Sequence, residues 1–222
     1  MIFLRDILID ARRGAYPFNS ASLVPLHMAL TSPVTIIVGD NGSGKSTLLE
    51  ALARALRLPA IGLDDASRDQ TLSGLDPLAD AMKLRVSVRT RRGFFLRAED
   101  FFGFTRRVST MQAELRGDLE RVGRDYADKS AFTQGQARMA YASSLSGLEE
   151  RYGENPDACS HGEAFLNLFS SRLTGKGLYL LDEPEAPLSP LRQLALCSMI
   201  LERREDSQFI IATHSPILMA LP

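Results

Sequence analysis

Three short, almost uninterrupted runs of apolar residues occur at positions 34–38, 178–181 and 209–212. Each run is bounded by glycine, aspartate or other polar residues. Such runs are typical of central strands in a parallel sheet, which are buried on both faces. Because a helical or turn-like stretch follows each run, the pattern predicts an α/β architecture with a mainly parallel core sheet flanked by helices.

Apolar residues at spacings of three and four predict several helices. One covers residues 46–58 and ends before Pro59, and another begins at Pro190. A longer helix is predicted through residues 108–126. Its apolar positions are Val108, Met111, Leu115, Leu119, Val122 and Tyr126.

A different period appears at residues 82–88, where apolar and polar side chains alternate as in a half-exposed strand. Arg91, Arg92 and Gly93 follow as a turn-like segment, and then the apolar run 94–96. This order predicts an antiparallel hairpin. We therefore expect one domain over residues 1–222, with an antiparallel β part at about 80–104 and a helical insert at about 105–156. Residues 61–77 are expected to form a loop.

Composition and charge narrow the class of protein. The 222 residues include 26 Lys plus Arg and 27 Asp plus Glu, a net charge of −1, which argues against a generic polyanion binder. The two cysteines, Cys159 and Cys197, are too few and too far apart for a disulfide framework or a CxxC site. No apolar run approaches the ~18 residues of a spanning helix. We expect a cytoplasmic protein without a transmembrane segment.

The clearest chemical motif follows the first apolar run. Residues 39–46 fit the pattern GxxxxGK[ST] between a predicted strand and a predicted helix, which is the context of a phosphate-binding P-loop. Backbone N–H groups of such a loop point at phosphate oxygens, and the helix that follows adds its positive end. Lys45 is expected to contact the β- and γ-phosphates, Ser46 to bind Mg²⁺ and Thr47 to contact the α-phosphate. The predicted nucleotide-binding residues are Gly39, Asp40, Asn41, Gly42, Ser43, Gly44, Lys45, Ser46 and Thr47.

Two carboxylates end the second apolar run. A carboxylate at the carboxyl end of a parallel strand, beside a phosphate loop, is suited to hold Mg²⁺, and Asp182 has this position. Glu183 is the next residue. We predict that it acts as a general base, which polarises the water that attacks the terminal phosphate. An apolar–Asp–Glu sequence alone is common at strand ends. The assignment of Asp182 and Glu183 therefore depends on the P-loop motif in the same sequence.

The third apolar run is followed by Thr213, His214, Ser215 and Pro216. A lone histidine is more often structural than catalytic. Here His214 ends a third strand of the same predicted sheet, so it is expected to face the same crevice. We predict that its imidazole donates a hydrogen bond to the γ-phosphate or near the attacking water.

In motif order, residues 34–218 resemble the ATP-binding-cassette (ABC) ATPases. The deciding stretch is Ser160-His161-Gly162-Glu163, which stands at the position of the cassette signature. The resemblance implies a P-loop NTPase with an ABC-type head, whose cofactors are ATP and Mg²⁺. It also implies an ATP-dependent head-to-tail homodimer in which Ser160, Gly162 and Glu163 cap the γ-phosphate of the partner subunit. The same residues also fit an ordinary helix capping box.

More narrowly, stretches 94–99, 160–165 and 178–190 resemble a bacterial family of cassette-type AAA ATPases. The Ser-x-Gly-Glu signature is closer to the DNA-repair and chromosome-maintenance branch than to transporters. Three residues depart from the wider pattern, namely His161 in the signature, Ser189 in the loop after Glu183, and Glu99 where the superfamily has Gln. Glu99 is a candidate Mg²⁺ ligand or a solvated loop carboxylate.

The aromatic platform expected for adenine has two candidates, Tyr16 and Phe18. The family usually continues with further strands after the histidine, so we expect the sequence to be part of a longer chain.

The role of the ATPase stays open between three functions. A basic stretch, residues 83–107, has eight cations against two carboxylates and suggests a DNA-associated enzyme. A half-exposed hairpin with buried Phe and solvated Arg residues explains the same stretch, and we favour that interpretation. The alternatives are a nucleotide-binding subunit of a transporter and a nucleotide-gated interaction or defence module.

Overall fold

A computed structural model describes residues 1–10, 18, 23–61, 74–88, 90, 92–153 and 161–222. The chain divides into two compact units, one formed by residues 1–101 and 173–222, the other by residues 102–172. The strands of the described part are β1 (Leu4–Ile9), β2 (Leu26–Ala29), β3 (Val34–Ile37), β4 (Met82–Val86), β5 (Gly93–Arg97), β6 (Leu178–Asp182) and β7 (Gln208–Ala212). The helices are α1 (Lys45–Leu56), α2 (Asp76–Ala81), α3 (Ala98–Asp125), α4 (Ala131–Tyr152), α5 (His161–Arg172), α6 (Pro190–Arg203) and α7 (Pro216–Met219).

The first unit contains a parallel sheet in the order β3-β7-β6-β5. Every residue of β6 and β7 is buried, as expected for strands covered on both faces. Helix α1 contacts β5, β6 and β7, and its leucines Leu49 and Leu52 are fully buried in the core. The three apolar runs of the sequence are therefore three strands of one parallel sheet, and the predicted α/β fold is confirmed.

A second sheet of the same unit is antiparallel, in the order β2-β1-β4. Its central strand β1 buries Leu4, Ile7 and Ile9, which belong to the same hydrophobic core as α1. Gln208 of β7 links the two sheets because its buried side chain accepts hydrogen bonds from the backbone N–H groups of Phe3 and Leu4, both at 2.8 Å.

The predicted antiparallel hairpin at residues 82–96 is wrong. Strand β4 pairs with β1 in the antiparallel sheet, whereas β5 pairs with β6 in the parallel sheet. The physical reason lies in burial, since Phe94, Phe95 and Leu96 are all buried and a hairpin with the exposed β4 would leave one face of them in water. Residues 76–81, partly assigned to a loop, form α2, while 62–73 lie outside the described residues.

The second unit is helical. It contains most of α3, which has 28 residues and covers the predicted 108–126 helix, together with α4 and α5. Arg116 of α3 pairs with Glu149 of α4, and Gln112 of α3 donates to the backbone oxygen of Gly153. Within the described ranges, none of the helices combines the length and the apolar character that crossing a bilayer demands.

Candidate active site

The P-loop lies between β3 and α1, as the motif predicts. Two of its residues, Gly42 and Gly44, have positive φ angles of 77° and 91°. Gly44 caps α1, and a Cβ atom there would lie 2.8 Å from Cγ of Leu23, so this position excludes larger residues. The loop therefore takes a shape that only its glycines permit, with the backbone wrapped around an open space.

Lys45 is held inside this loop. Its side chain is buried, and its Nζ donates hydrogen bonds to the backbone oxygens of Gly39 at 2.8 Å and Asp40 at 3.1 Å. Since Lys45 is the first residue of α1, these contacts hold its ammonium group in the loop that precedes the helix. The positive charge of Lys45 and the positive end of the helix can therefore attract the same phosphate group.

A cavity of about 530 Å³ opens at this loop. Glu183 and residues of the P-loop both line it. The remaining lining residues are Leu23, Asn41, Gly42, Gly44, Lys45, Ser46 and Thr47. The structure therefore brings together the P-loop and the predicted general base, which are about 140 positions apart in the sequence.

Asp182 ends β6, where it is 3% exposed. Burial raises the pKa of its carboxyl group to about 6, against an opposing hydrogen bond with the Ser46 side chain. Its Oδ1 atom has no hydrogen-bond partner among the described residues. A buried carboxylate oxygen without a donor is costly, and a bound cation would remove that cost.

Glu183 has an unusual backbone conformation. Its φ angle of 48° lies in the left-handed region, and its N–H donates to the backbone oxygen of Ala212 at 2.9 Å. The chain turns sharply here, so the buried Asp182 is followed by a half-exposed side chain that faces the cavity. Such strain in a residue other than glycine is a feature of functional sites.

His214 meets Glu183 at the edge of the parallel sheet. Its Nε2 lies 3.8 Å from Oε1 of Glu183, and both side chains are partly exposed. This proximity follows from the sheet, since β6 and β7 are neighbours and Asp182 is in register with Ala212. The structure thus places three of the predicted residues, Asp182, Glu183 and His214, at one edge.

Three other predicted site residues, Glu99, Gly162 and Glu163, belong to helices α3 and α5. Glu99 is 73% exposed in its side chain, and its Oε1 lies 3.2 Å from Nη1 of Arg97. Gly162 and Glu163 stand in the first turn of α5, in the second unit. Ser160 and Tyr16 lie outside the described residues, and Phe18 packs partly buried against the core. Among the described residues, no three His, Cys, Asp or Glu side chains gather as a metal-binding group.

Two charged residues that sequence reasoning missed adjoin this edge. Arg97 ends β5 in register with Asp182, and its Nη1 lies 2.8 Å from Oε1 of Glu50 on α1. Burial raises the pKa of Glu50 to about 7, while the Arg97 charge opposes that rise. One signal could have identified Glu50, because it is four residues after Ser46 and so shares its helix face.

Comparison with known proteins agrees with this geometry. Residues 18–83 match a family model described as "AAA domain", and residues 112–220 match one described as "AAA domain, putative AbiEii toxin, Type IV TA system". The sequence is also 29% identical over 188 residues to the energy-coupling factor transporter ATP-binding protein EcfA1 of Thermotoga maritima. Both parts of the chain are thus similar to AAA domains, and the sequence is similar to an ATP-binding protein of a transporter. The match covers 83% of this chain and 63% of the length of that relative.

Solved structures confirm the fold of the chain. A nucleotide-free ATP-binding cassette from an ABC transporter aligns with a TM-score of 0.52 at 18% identity, covering all of this chain and 85% of the other. An Smc head bound to the C-winged helix domain of ScpA aligns with a TM-score of 0.51 at 13% identity, covering 99% of this chain and 92% of the other. At these identities the likeness shows the fold, an ABC-type P-loop head.

Proposed function

We propose that this chain binds Mg·ATP in the P-loop cavity and hydrolyses it. The proposal rests on one cavity, which is lined by Lys45, the P-loop and Glu183. His214 lies beside Glu183. The cation suits the polyphosphate, and the carboxylate stands where a water would be activated. Similarity to AAA-domain family models and to a transporter ATP-binding protein supports the same reaction.

The residues at the strand edge fit a magnesium ion. Asp182 offers a buried carboxylate oxygen that lacks a donor among the described residues, and Ser46 is hydrogen-bonded to the same carboxylate. Mg²⁺ prefers oxygen ligands and is commonly held by one or two protein groups together with phosphates and water. Asp182 and Ser46 would hold the ion, and Glu99 stays a weaker candidate. When bound, the ion supplies charge neutralisation at the phosphate oxygens.

In the proposed hydrolysis, Glu183, Lys45, the loop N–H groups and His214 have different roles. Glu183 accepts a proton from water, the water oxygen forms a bond to the γ-phosphorus, and the bond to the bridging oxygen breaks so that ADP leaves. Lys45 and the loop N–H groups stabilise the negative charge that develops on the phosphate oxygens. His214 orients the attacking water or the γ-phosphate through its imidazole.

Replacement of Lys45 tests this assignment of the cavity. Lys45→Ala is expected to weaken ATP binding by at least about 30-fold, because a charged hydrogen-bond donor to phosphate is worth roughly 2 kcal/mol or more. Lys176→Ala is the matched control, since Lys176 is exposed and pairs with Asp206 on the surface. Titration calorimetry with Mg·ATP measures both. Equal affinity of Lys45→Ala and wild type would contradict the assignment.

The proposed active form is a head-to-tail homodimer with ATP between the two copies. In this arrangement Ser160, Gly162 and Glu163 of one copy cap the γ-phosphate held by the other. The support is the position of Gly162 and Glu163 in the first turn of α5, where backbone N–H groups form an anion site. Light scattering of Glu183→Gln tests it, since the mass should double on addition of Mg·ATP. A mass that stays monomeric with saturating ATP would contradict the dimer.

Two cellular roles have specific support. The relative EcfA1 is named as the ATP-binding protein of a transporter, which favours a role as the nucleotide-binding subunit of such a complex. The signature and the basic stretch favour a DNA-associated role. The structure gives less support to DNA binding by this stretch, because carboxylates already neutralise several of its cations. Lys83 pairs with Asp10, Arg85 with Asp6 and Arg97 with three carboxylates.

A pair of assays separates these two roles. Filter binding to duplex DNA at low salt, with and without ATP, should detect a DNA-associated enzyme. Co-purification with a membrane permease should detect a transporter subunit. The description of the second family model adds a toxin–antitoxin system as a further setting, in which neither assay gives a signal.

A further inference from the structure

Glu185 makes an unusual set of contacts two residues after the proposed general base. Its Oε1 accepts three hydrogen bonds, from Oγ1 of Thr213 at 2.6 Å, from N of His214 at 2.7 Å and from N of Ser215 at 3.1 Å. Three consecutive residues of the loop after β7 thus donate hydrogen bonds to one carboxylate oxygen. Hydrogen bonds to an ionised acceptor are about twice as strong as neutral ones.

These contacts hold the loop that carries His214. Thr213 is fully buried, and its Oγ1 also accepts from the backbone N–H of Ser215 at 2.9 Å. Ser215 in turn donates from Oγ to Oε1 of Gln193 on α6 at 2.6 Å. The backbone of His214 is therefore fixed on both sides, while its imidazole is left to face Glu183.

The same carboxylate connects two loops that end neighbouring strands. Glu185 follows β6 and belongs to the turn in which the N–H groups of Ala186 and Leu188 donate to the backbone oxygens of Glu183 and Glu185. Its side chain crosses to the loop after β7. The distance between the Glu183 carboxylate and the His214 imidazole therefore depends on a hydrogen-bonded bridge that neither of those side chains supplies.

We propose that Glu185 is a positioning residue, which holds the backbone of His214 so that the imidazole stays beside the Glu183 carboxylate and the γ-phosphate. Glu185 contacts neither substrate nor the reacting atoms and acts through His214. The inference rests on the proposed ATP hydrolysis, and it names a residue required for the catalytic step but not for nucleotide binding.

The test compares Glu185→Ala, Glu185→Gln and His214→Ala with wild type in ATP turnover. Glu185→Ala should lower kcat by at least 10-fold and change KM for ATP by less than about twofold, because the P-loop is not altered. Glu185→Gln keeps an oxygen acceptor at the same place and should retain at least a third of wild-type kcat. Glu202→Ala, which removes an exposed carboxylate from α6, is the matched control and should match wild type.

A double variant separates positioning from a general loss of structure. If Glu185 acts through His214, Glu185→Ala should lower kcat by less than about twofold in the His214→Ala background. Independent, multiplicative losses would overturn the proposal, as would a Glu185→Ala variant with wild-type kcat. A second readout is the imidazole NMR signal of His214, which should shift or broaden in Glu185→Ala and stay unchanged in Glu202→Ala. An unchanged signal in Glu185→Ala would also contradict it.

Failure of the underlying function gives a different result. If wild type itself releases no phosphate from Mg·ATP, the proposed hydrolysis fails, whereas the NMR comparison still decides whether Glu185 positions His214. If wild type is active and the Glu185 variants behave as wild type, hydrolysis stands and the positioning role fails.

Discussion

The Nε2 atom of His214 lies 3.8 Å from the Oε1 atom of Glu183, although the two residues end different strands and are 31 positions apart. Parallel pairing of β6 with β7 produces this contact, because it brings the carboxyl ends of the two strands to one edge. The left-handed backbone of Glu183 turns its side chain towards the P-loop cavity. The proposed chemistry depends on this edge.

Removal of the imidazole should affect the chemical step more than binding. His214→Ala is expected to lower kcat for ATP hydrolysis by about 10- to 100-fold, because a hydrogen bond to a charged group is worth about 1.5–3 kcal/mol, and to change KM little. Steady-state phosphate release gives both constants. His27→Ala is the control, since His27 is a largely exposed histidine on β2. A His214→Ala variant as fast as wild type would remove His214 from the proposed mechanism.

Asp182 should make the metal-free protein less stable as the pH rises. Burial raises the pKa of its carboxyl group to about 6 in the folded state, above the unfolded value of 3.8. The folded state therefore binds this proton more tightly, and the associated stability is lost as the pH rises through about 6. Asp182→Asn should thus be close to wild type near pH 4 and more stable than wild type by about 2 kcal/mol near pH 7.5.

Urea unfolding at the two pH values without Mg²⁺ measures that difference. The same variant should lose ATP turnover, because the amide cannot replace the carboxylate as an Mg²⁺ ligand. Loss of turnover together with a gain in stability is the expected signature of a buried functional charge. A variant that is less stable than wild type at both pH values would contradict the assignment.

The corrected pairing of β5 predicts a large effect at Gly93. Its φ angle is +136°, and a Cβ atom there would lie 1.9 Å from the backbone oxygen of Leu178 in β6. Gly93→Ala should therefore destabilise the protein by about 2 to 4 kcal/mol, through backbone strain and displacement of the strand. Thermal or urea unfolding measures this. The control is Gly117→Ala on α3, where an added Cβ meets no atom within 4 Å.

If Gly93→Ala has the same free energy of unfolding as wild type, the neighbour of β5 is a strand other than β6. The reason is that the short contact exists only because Gly93 lies opposite Leu178 in the parallel register.

The sequence alone predicted three of the four strands of the parallel sheet, whereas it placed β5 in a hairpin. Continuous apolar runs identified β3, β6 and β7, and the carboxyl ends of parallel strands necessarily lie together, so the order of the motifs was enough to group Lys45, Asp182 and His214. The partner of β4 could not be found in this way. It is β1, about 80 positions earlier in the chain, and the turn-like residues after β4 favoured a local hairpin instead.

The missed site residues act through contacts that have no local pattern. Glu185 is one of two carboxylates in the loop between β6 and α6, and its contacts become visible only when β7 places three donors around one oxygen. Arg97 likewise pairs with Glu50 of α1 because β5 lies beside β6. Helix α4 was predicted only as part of a helical insert, since its apolar residues do not form a regular stripe and none of its described side chains is fully buried.

The most direct test of the central claim is phosphate release from Mg·ATP by wild type beside Glu183→Gln, with ATP binding measured for both. We predict turnover by wild type and a loss of at least about 100-fold in kcat for Glu183→Gln, the usual contribution of a general base, at nearly unchanged ATP affinity. Glu202→Gln, an exposed carboxylate on α6, should match wild type. Equal turnover by Glu183→Gln and wild type, or no ATP binding by either, would contradict the account.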